Sequence, residues 1–322
     1  MIKVTHLTKR FGTGLAVDDV TFAVAPGQVT GFLGPNGAGK STTMRMIVGL
    51  DRPTSGRATV DGRAYARLAS PLRSVGVLLE TGSMHPGRSV QAHLAVLAAT
   101  HRIPRRRVGE VLEQVGLATA ARQRIGTLSL GMGQRLGVAA ALLGDPGTVI
   151  LDEPTNGLDP EGVSWIRSLV RALASQGRAV LVSSHLISEV ARVADHLVVL
   201  GAGRVVADAP LRAVLDEWST PTVRVRAEGL RELLGRLGAA GAAITRTGSE
   251  TAELTGVSAD DVARTAAACA VVLTELTILE PSLEQAFFGM TSDSARYTAQ
   301  DPAKQTTQRA AQLAGAGQEA GR

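Results

Sequence analysis

A glycine-rich segment near the N-terminus has the spacing of a phosphate-binding loop. Glycines let the backbone wrap closely around phosphate oxygens, so that successive N–H groups point inward and bind an anion. The helix that follows the loop adds its positive N-terminal end. Lys40 would reach the β- and γ-phosphates of a nucleotide, and the Ser41 hydroxyl would ligate Mg²⁺. The candidate nucleotide contacts are Gly34, Pro35, Asn36, Gly37, Ala38, Gly39, Lys40, Ser41 and Thr42.

The loop indicates a nucleoside triphosphatase, and two adjacent carboxylates suggest how it would hydrolyse its substrate. Asp152 and Glu153 follow the apolar run 148–151. Asp152 would hold Mg²⁺ through water, and Glu153 would polarise an attacking water as a general base. Two carboxylates at the end of an apolar strand are costly without a cation, so a purely structural role is disfavoured. His185 ends the next apolar run, and we expect it to touch the γ-phosphate where the strand ends converge.

Short apolar runs and helical patterns alternate around these residues. The runs span residues 29–33, 75–79, 148–151 and 179–183. Continuous apolar strands separated by helices are typical of a parallel sheet that is covered on both faces. The stretch of about 88–145 is helical, which predicts a helical subdomain inserted between two strands. We therefore predict an α/β nucleotide-binding domain over residues 1–215.

The pattern changes in the C-terminal third of the chain. Residues 222–227 alternate with period two, as a half-exposed strand does. A helix, two short strands, a helix capped by Ser258 and a further strand follow, and Ser282 opens a last helix. This order predicts a small α+β accessory domain over residues 216–291. Residues 292–322 contain scarcely any large apolar side chain, so we predict a disordered tail.

Composition excludes several classes of protein. The 322 residues are 44% hydrophobic and only 3% aromatic, and Cys269 is the single cysteine. One cysteine excludes an internal disulfide and a thiolate-cluster metal site, and it suits a reducing cytosol. No run of about 18 apolar residues occurs, so we expect no autonomous membrane insertion. The first residues contain no apolar signal segment, so we do not expect secretion.

The net charge of +5 includes a cluster of arginines at 102, 105, 106 and 107. The simpler interpretation of this cluster is a solvated helix end. The alternative is a contact for lipid headgroups or for an acidic partner surface. Because no aromatic side chains are interleaved with the arginines, we expect no nucleic-acid partner.

The segment Leu128-Ser129-Leu130-Gly131-Met132-Gly133-Gln134-Arg135, which precedes Asp152, makes the resemblance specific. It is similar to the signature motif of the nucleotide-binding subunits of ATP-binding cassette (ABC) transporters. The resemblance covers about two-thirds of the chain, and every family segment occurs in order. It implies a P-loop NTPase core of the ABC ATPase type with an inserted helical subdomain, followed here by the small C-terminal α+β domain.

The resemblance assigns further roles residue by residue. Phe11 matches the aromatic side chain that stacks on adenine, and Glu80 takes the place of the Q-loop glutamine as a metal contact beside Ser41 and Asp152. Asp159 belongs to a segment that resembles the D-loop, and His185 resembles the switch histidine. These two join Glu153 as candidate catalytic residues. Ser129 and Gly131 would contact the ATP of a partner chain.

Three residues depart from the family pattern. Leu130 replaces the first signature glycine, Met132 replaces the glutamine, and Glu80 is acidic where the Q-loop has glutamine. A carboxylate at position 80 could still bind Mg²⁺ or its water, although the coupling role of glutamine is then less secure. Together with the C-terminal domain, these variants resemble the ABC-2 type drug-export branch, which includes daunorubicin-resistance ATPases.

The family resemblance implies ATP and Mg²⁺ as cofactors and a head-to-tail dimer with ATP between the two chains. It also implies a separate membrane permease, with this chain at the cytoplasmic face of the membrane. The expected function is ATP hydrolysis that drives export of an antibiotic, drug or lipid-like substrate. Two alternatives stay open: a soluble ABC protein that acts in translation or repair, and an ATPase that sequesters a drug without transport.

Overall fold

The computed structural model describes residues 1–79, 84–184, 186–218, 222–279, 283–284 and 287. The described chain divides into two compact units, one ending at Leu211 and the other beginning at Arg212. The division coincides with the first turn of helix α8 (Leu211–Trp218), so the boundary expected between 215 and 216 falls inside a continuous helix. The change in composition begins only after that helix has started. Within the described residues, no helix is both long and apolar enough to cross a membrane.

A six-stranded sheet with the order β5-β6-β7-β3-β8-β9 forms the centre of the first unit. Its first five strands are parallel, and β9 is antiparallel to β8. The strands are β3 (Val29–Leu33), β5 (Val75–Leu78), β6 (Thr148–Leu151), β7 (Ala179–Ser183), β8 (His196–Gly201) and β9 (Arg204–Pro210). All residues of β3, β6 and β7 are buried, as expected for central parallel strands that are covered on both faces. The predicted bounds of these three strands are confirmed.

A three-stranded antiparallel sheet with the order β2-β1-β4 lies beside this core. Its strands are β1 (Ile2–Phe11), β2 (Gly14–Val24) and β4 (Ser55–Val60). The sequence pattern does not predict this sheet. The register of β1 against β2 shifts at several points, which interrupts the alternation by which a half-buried strand is recognised.

Seven helices belong to the described part of the first unit, and three of them form the helical segment. Apolar residues of the segment, such as Leu94, Val111 and Leu136, pack in one core with the central strands and helix α6 (Pro160–Ser175). The segment therefore has no separate core of its own. The helices are α1 (Lys40–Ile47), α2 (Pro71–Ser74), α3 (Val90–Thr100), α4 (Arg106–Gln114), α5 (Leu130–Leu142), α6 (Pro160–Ser175) and α7 (Ile187–Ala191).

The second unit contains a four-stranded antiparallel sheet with the order β11-β12-β10-β13. With two helices between the strands, this is the βαββαβ arrangement of ferredoxin-like domains. Ser258 and Asp261 form a capping box at the start of α10 (Ala259–Ala268), where the sequence predicts a helix cap. The last predicted helix and the tail lie largely outside the described residues. The elements are β10 (Thr222–Ala227), α9 (Leu230–Ala239), β11 (Ala243–Arg246), β12 (Thr251–Thr255), α10 (Ala259–Ala268) and β13 (Leu273–Leu279).

Candidate functional site

The glycine-rich loop connects β3 to α1, as expected for a phosphate-binding loop. Pro35, Asn36 and Gly37 at its tip are exposed, and Gly39 caps α1 with a left-handed backbone at φ 98°. A Cβ on Gly39 would lie 2.6 Å from the backbone oxygen of Ala16. Glycine is therefore required at this position both by the backbone angle and by the space. The first N–H groups of α1 have no partner within the helix and remain available to an anion.

Lys40 is buried at the start of α1, and its ammonium group lies against the loop. Nζ donates to the carbonyl oxygens of Gly34 at 2.6 Å and Pro35 at 3.3 Å. Burial lowers the pKa of Lys40, and the negative charges of Glu153 and Asp152 partly oppose that shift. The loop lysine and both carboxylates therefore lie within electrostatic range of one another. All three are residues that the sequence predicts to share one site.

The carboxylate of Asp152 is buried directly after β6. Its backbone N–H donates to the oxygen of Leu78 at 2.7 Å, and its Oδ1 accepts a hydrogen bond from the hydroxyl of Ser183. Ser41, on α1, is exposed, whereas Asp152 is only 8% exposed. A carboxylate and a hydroxyl are hard oxygen ligands, and Mg²⁺ commonly takes one or two such groups together with substrate phosphates. Asp152 and Ser41 thus fit the predicted metal.

Glu153 has an unusual backbone for a residue with a side chain. Its φ of 50° lies in the left-handed region, which such residues seldom adopt. Its N–H donates to Ser183 Oγ at 2.9 Å, and its carbonyl oxygen accepts from Gln134 Nε2 at 3.2 Å. Neither Ser183 nor Gln134 was among the site residues predicted from the sequence. The available signal was a polar side chain at the end of the apolar strand β7 and another on the buried face of α5.

The predicted signature segment forms the start of α5. Ser129 caps the helix by accepting a hydrogen bond from the N–H of Met132 at 3.2 Å. Leu130 is 67% exposed and lies against Gly157, because a Cβ on Gly157 would be only 2.5 Å from the Cγ of Leu130. Gly131 lies beside the same turn. The signature and D-loop segments are therefore in contact within one chain.

Asp159 has a structural partner that its predicted catalytic role did not include. Its Oδ1 accepts a hydrogen bond from the N–H of Gly162 at 2.9 Å, and it caps helix α6. Asp followed by Pro at the first helical position is a typical helix start, so this contact could have been recognised in the sequence. The structure thus supports an anchoring role for the carboxylate of Asp159.

Phe11 ends β1, and the residue is 53% exposed. The ammonium of Lys9 lies 4.7 Å from the centroid of the ring. A partly exposed aromatic side chain is compatible with the predicted stacking on a base. Glu80 and His185, the other two predicted site residues, lie outside the described residues.

The comparisons with known proteins decide the family. The model of the ABC transporter family (ABC_tran) matches residues 17–156. The chain is also 39% identical, over 213 residues, to the bacitracin transport ATP-binding protein BcrA of Bacillus licheniformis. That alignment covers 65% of this chain and 70% of the relative. The chain belongs to the ABC transporter ATP-binding proteins. Like other members of this family, this ABC ATPase binds and hydrolyses ATP.

Other relatives of this ABC ATPase are named for transport or export. The lantibiotic transport ATP-binding protein SrtF of Streptococcus pyogenes is 34% identical over 206 residues, which cover 64% of this chain and 89% of the relative. The Nod factor export ATP-binding protein I of Rhizobium leguminosarum bv. viciae is 37% identical over 223 residues, which cover 67% of this chain and 71% of the relative.

Solved structures support the same fold for this ABC ATPase. One, described as an ATP binding subunit of an ABC transporter, has a TM-score of 0.60 and 25% identity, and the match covers 82% of this chain and 98% of the chain in that structure. A dimeric ATP-binding cassette in a post-hydrolysis state, bound to ADP and Pi, has a TM-score of 0.60 and 26% identity, and covers 66% of this chain and 99% of its own. The predicted P-loop NTPase fold of the ABC type is confirmed. A separate model, Domain of unknown function (DUF8746), matches residues 221–284.

Proposed function

We propose that this ABC ATPase powers export of an antibiotic, drug or lipid-like substrate through a separate membrane permease. The observation that carries the proposal is the similarity of the chain to relatives named for bacitracin transport, lantibiotic transport and Nod factor export. The chain would then act at the cytoplasmic face of the membrane, bound to the permease. Leu130, Met132 and the C-terminal domain motivate assignment to the ABC-2 type drug-export branch.

The site supports a specific mechanism for ATP hydrolysis. The loop N–H groups and Lys40 bind the phosphates, and Phe11 stacks on adenine. Mg²⁺ held by Ser41 and Asp152 would neutralise phosphate charge. Glu153 accepts a proton from the attacking water while the oxygen of that water bonds to the γ-phosphorus. The bond from this phosphorus to the β,γ-bridging oxygen breaks, and ADP and phosphate are released.

We infer that two cassettes act together. Ser129 and Gly131 at the N-terminus of α5 would bind the γ-phosphate of ATP held by the partner, because helix N-termini are suited to anions. ATP would then bring two chains together head to tail, and hydrolysis would remove the bridge. The dimeric ATP-binding cassette among the similar structures supports this arrangement.

The C-terminal domain has a proposed role of its own. We assign residues 216–291 to an accessory domain that regulates the cassettes or stabilises their pairing with the permease. Its own core, which includes Val225, Leu233 and Leu254, is consistent with an independent folding unit. Truncation after residue 215 should leave ATP binding in place and impair transport or dimerisation. Intact transport and dimerisation in the truncated protein would contradict this role.

A pull-down tests the transport proposal. Tagged Glu153→Gln would be expressed in the native host with ATP present, and captured chains from detergent-solubilised membranes would be identified by mass spectrometry. We expect the variant to bind ATP, to hydrolyse it poorly and to capture a multi-span permease in a closed dimer. Lys40→Met, which should not bind ATP, is the matched control.

Recovery of ribosomal or DNA-repair proteins without a membrane protein would support the soluble alternative. Capture of neither class, together with drug bound to the isolated chain, would support sequestration. Both results would leave the ATPase chemistry in place and overturn the export proposal.

A further inference from the structure

The backbone of Glu153 is held from both sides by buried side chains. Its N–H donates to Ser183 Oγ at 2.9 Å, and its carbonyl oxygen accepts from Gln134 Nε2 at 3.2 Å. Ser183 is fully buried and Gln134 is 4% exposed. Buried polar side chains are costly unless they are hydrogen-bonded, so these two groups have well-defined partners. The two contacts fix one peptide unit on each side of the Glu153 Cα.

These contacts occur where the backbone is strained. The φ of 50° at Glu153 places a residue with a Cβ in the left-handed region. Such conformations persist only where the surroundings enforce them, and they occur often at active sites. Ser183 on β7 and Gln134 on α5 supply that enforcement from two different elements.

The hydroxyl of Ser183 also links the two carboxylate residues. It donates its only hydrogen to Asp152 Oδ1, so it can act only as acceptor toward the N–H of Glu153. The roles in this pair of bonds are thereby fixed. A single buried hydroxyl orients the carboxylate that would contact Mg²⁺ and the backbone of the residue that would activate water.

We propose that Ser183 and Gln134 are positioning residues for ATP hydrolysis. They hold Glu153 in the left-handed conformation that directs its carboxylate at the attacking water, and Ser183 at the same time holds Asp152. The inference rests on the proposed role of Glu153 as general base. The bonds are made to the backbone of Glu153 and, for Ser183, also to the carboxylate of Asp152, and none is made to ATP. Loss of either residue should therefore slow the chemical step more than it weakens ATP binding.

The test compares single variants of the full-length chain by steady-state ATPase assay. For Ser183→Ala and Gln134→Met, we expect kcat to fall about 10- to 100-fold and KM for ATP to change less than about threefold. Ser183→Cys restores most of the lost volume but not the strong hydrogen bonds, so it should stay slow. A Cys variant at the wild-type rate would assign the effect to packing and overturn the proposal.

Thr30→Val provides a matched control. Thr30 is fully buried on β3, the strand beside β7, and within the described part of the chain its hydroxyl has no hydrogen-bond partner. This variant removes a buried hydroxyl from the same sheet without touching either carboxylate, so it should keep the wild-type kcat. An equal loss of kcat in Thr30→Val and Ser183→Ala would contradict a specific role of Ser183.

A double variant separates this inference from the proposed function. If Gln134 acts through Glu153, then Gln134→Met should slow the Glu153→Gln protein by less than about twofold. Wild-type turnover in Glu153→Gln would overturn the assignment of the base, and the inference with it. A slow Glu153→Gln protein combined with a wild-type kcat in Ser183→Ala would overturn the inference alone.

Discussion

Alanine at Gly39 should destabilise the nucleotide-free protein much more than alanine at Gly37 does. Both glycines lie in the phosphate loop and both have a left-handed backbone, with φ of 98° and 81°. They differ in their surroundings. A Cβ on Gly39 would lie 2.6 Å from the backbone oxygen of Ala16 and 3.2 Å from Cγ2 of Val17, whereas a Cβ on Gly37 would have nothing within 4 Å.

This difference separates the cost of the left-handed backbone from the cost of the steric clash. A side chain in the left-handed region costs about 1–2 kcal/mol, and the loss of glycine's freedom in the unfolded chain offsets part of it. We therefore expect Gly37→Ala to lower the free energy of unfolding by about 1 kcal/mol. Gly39→Ala adds a clash with backbone, which cannot rotate away, so the total should be about 2–4 kcal/mol.

Thermal unfolding without nucleotide is the direct assay, since ATP would add its own contacts to the loop. We expect a clear fall in Tm for Gly39→Ala and a much smaller fall for Gly37→Ala, with both variants correctly folded by circular dichroism. Equal shifts would refute the reasoning, because they would show that the backbone around Ala16 moves aside at no cost.

Three further predictions concern other positions. Lys40→Met should weaken ATP binding at least about 100-fold in calorimetry. Burial lowers the pKa of Lys40 from its ordinary 10.5, so the affinity of the wild-type protein for ATP should fall as alkaline pH removes the ammonium charge. This pH dependence should be absent in the variant. Phe11→Ala should weaken ATP binding about tenfold while Phe11→Tyr keeps it; equal losses in both would exclude stacking. Gly76→Ala should lower Tm strongly, because its Cβ would lie 2.2 Å from the backbone oxygen of Ala141 on α5; an unchanged Tm would show that α5 shifts freely.

Much of the fold could be predicted where local signals are strong. Strands β3, β6 and β7 are continuous apolar runs with clear ends, and the helix after Ser258 has a complete capping box. The local sequence is sufficient to predict such elements without knowledge of their tertiary contacts. The β2-β1-β4 sheet was missed because irregular pairing interrupts its alternation and because its strands are separated by the phosphate loop.

The site likewise contains residues that local sequence predicts and residues that only tertiary packing brings together. The loop, Asp152 and Glu153 could be recognised because their residue types and spacing are local. Ser183 and Gln134 contact Glu153 from 30 and 19 residues away, so only the packing of β7 and α5 against the end of β6 brings them together. Asp159 is a predicted catalytic residue by resemblance, and the structure adds that its carboxylate caps α6.

The departures at positions 130 and 132 do not remove the backbone groups of the signature segment that are proposed to bind phosphate. Leu130 and Gly131 occupy the first positions of α5, where backbone N–H groups have no partner within the helix. These donors belong to the backbone, so they do not depend on which side chain replaces the usual glycine or glutamine. Leu130 lies against Gly157 and keeps 67% of its surface exposed. A leucine here is therefore compatible with anion binding by the helix start, and it adds an apolar side chain to the surface that a second cassette is proposed to cover.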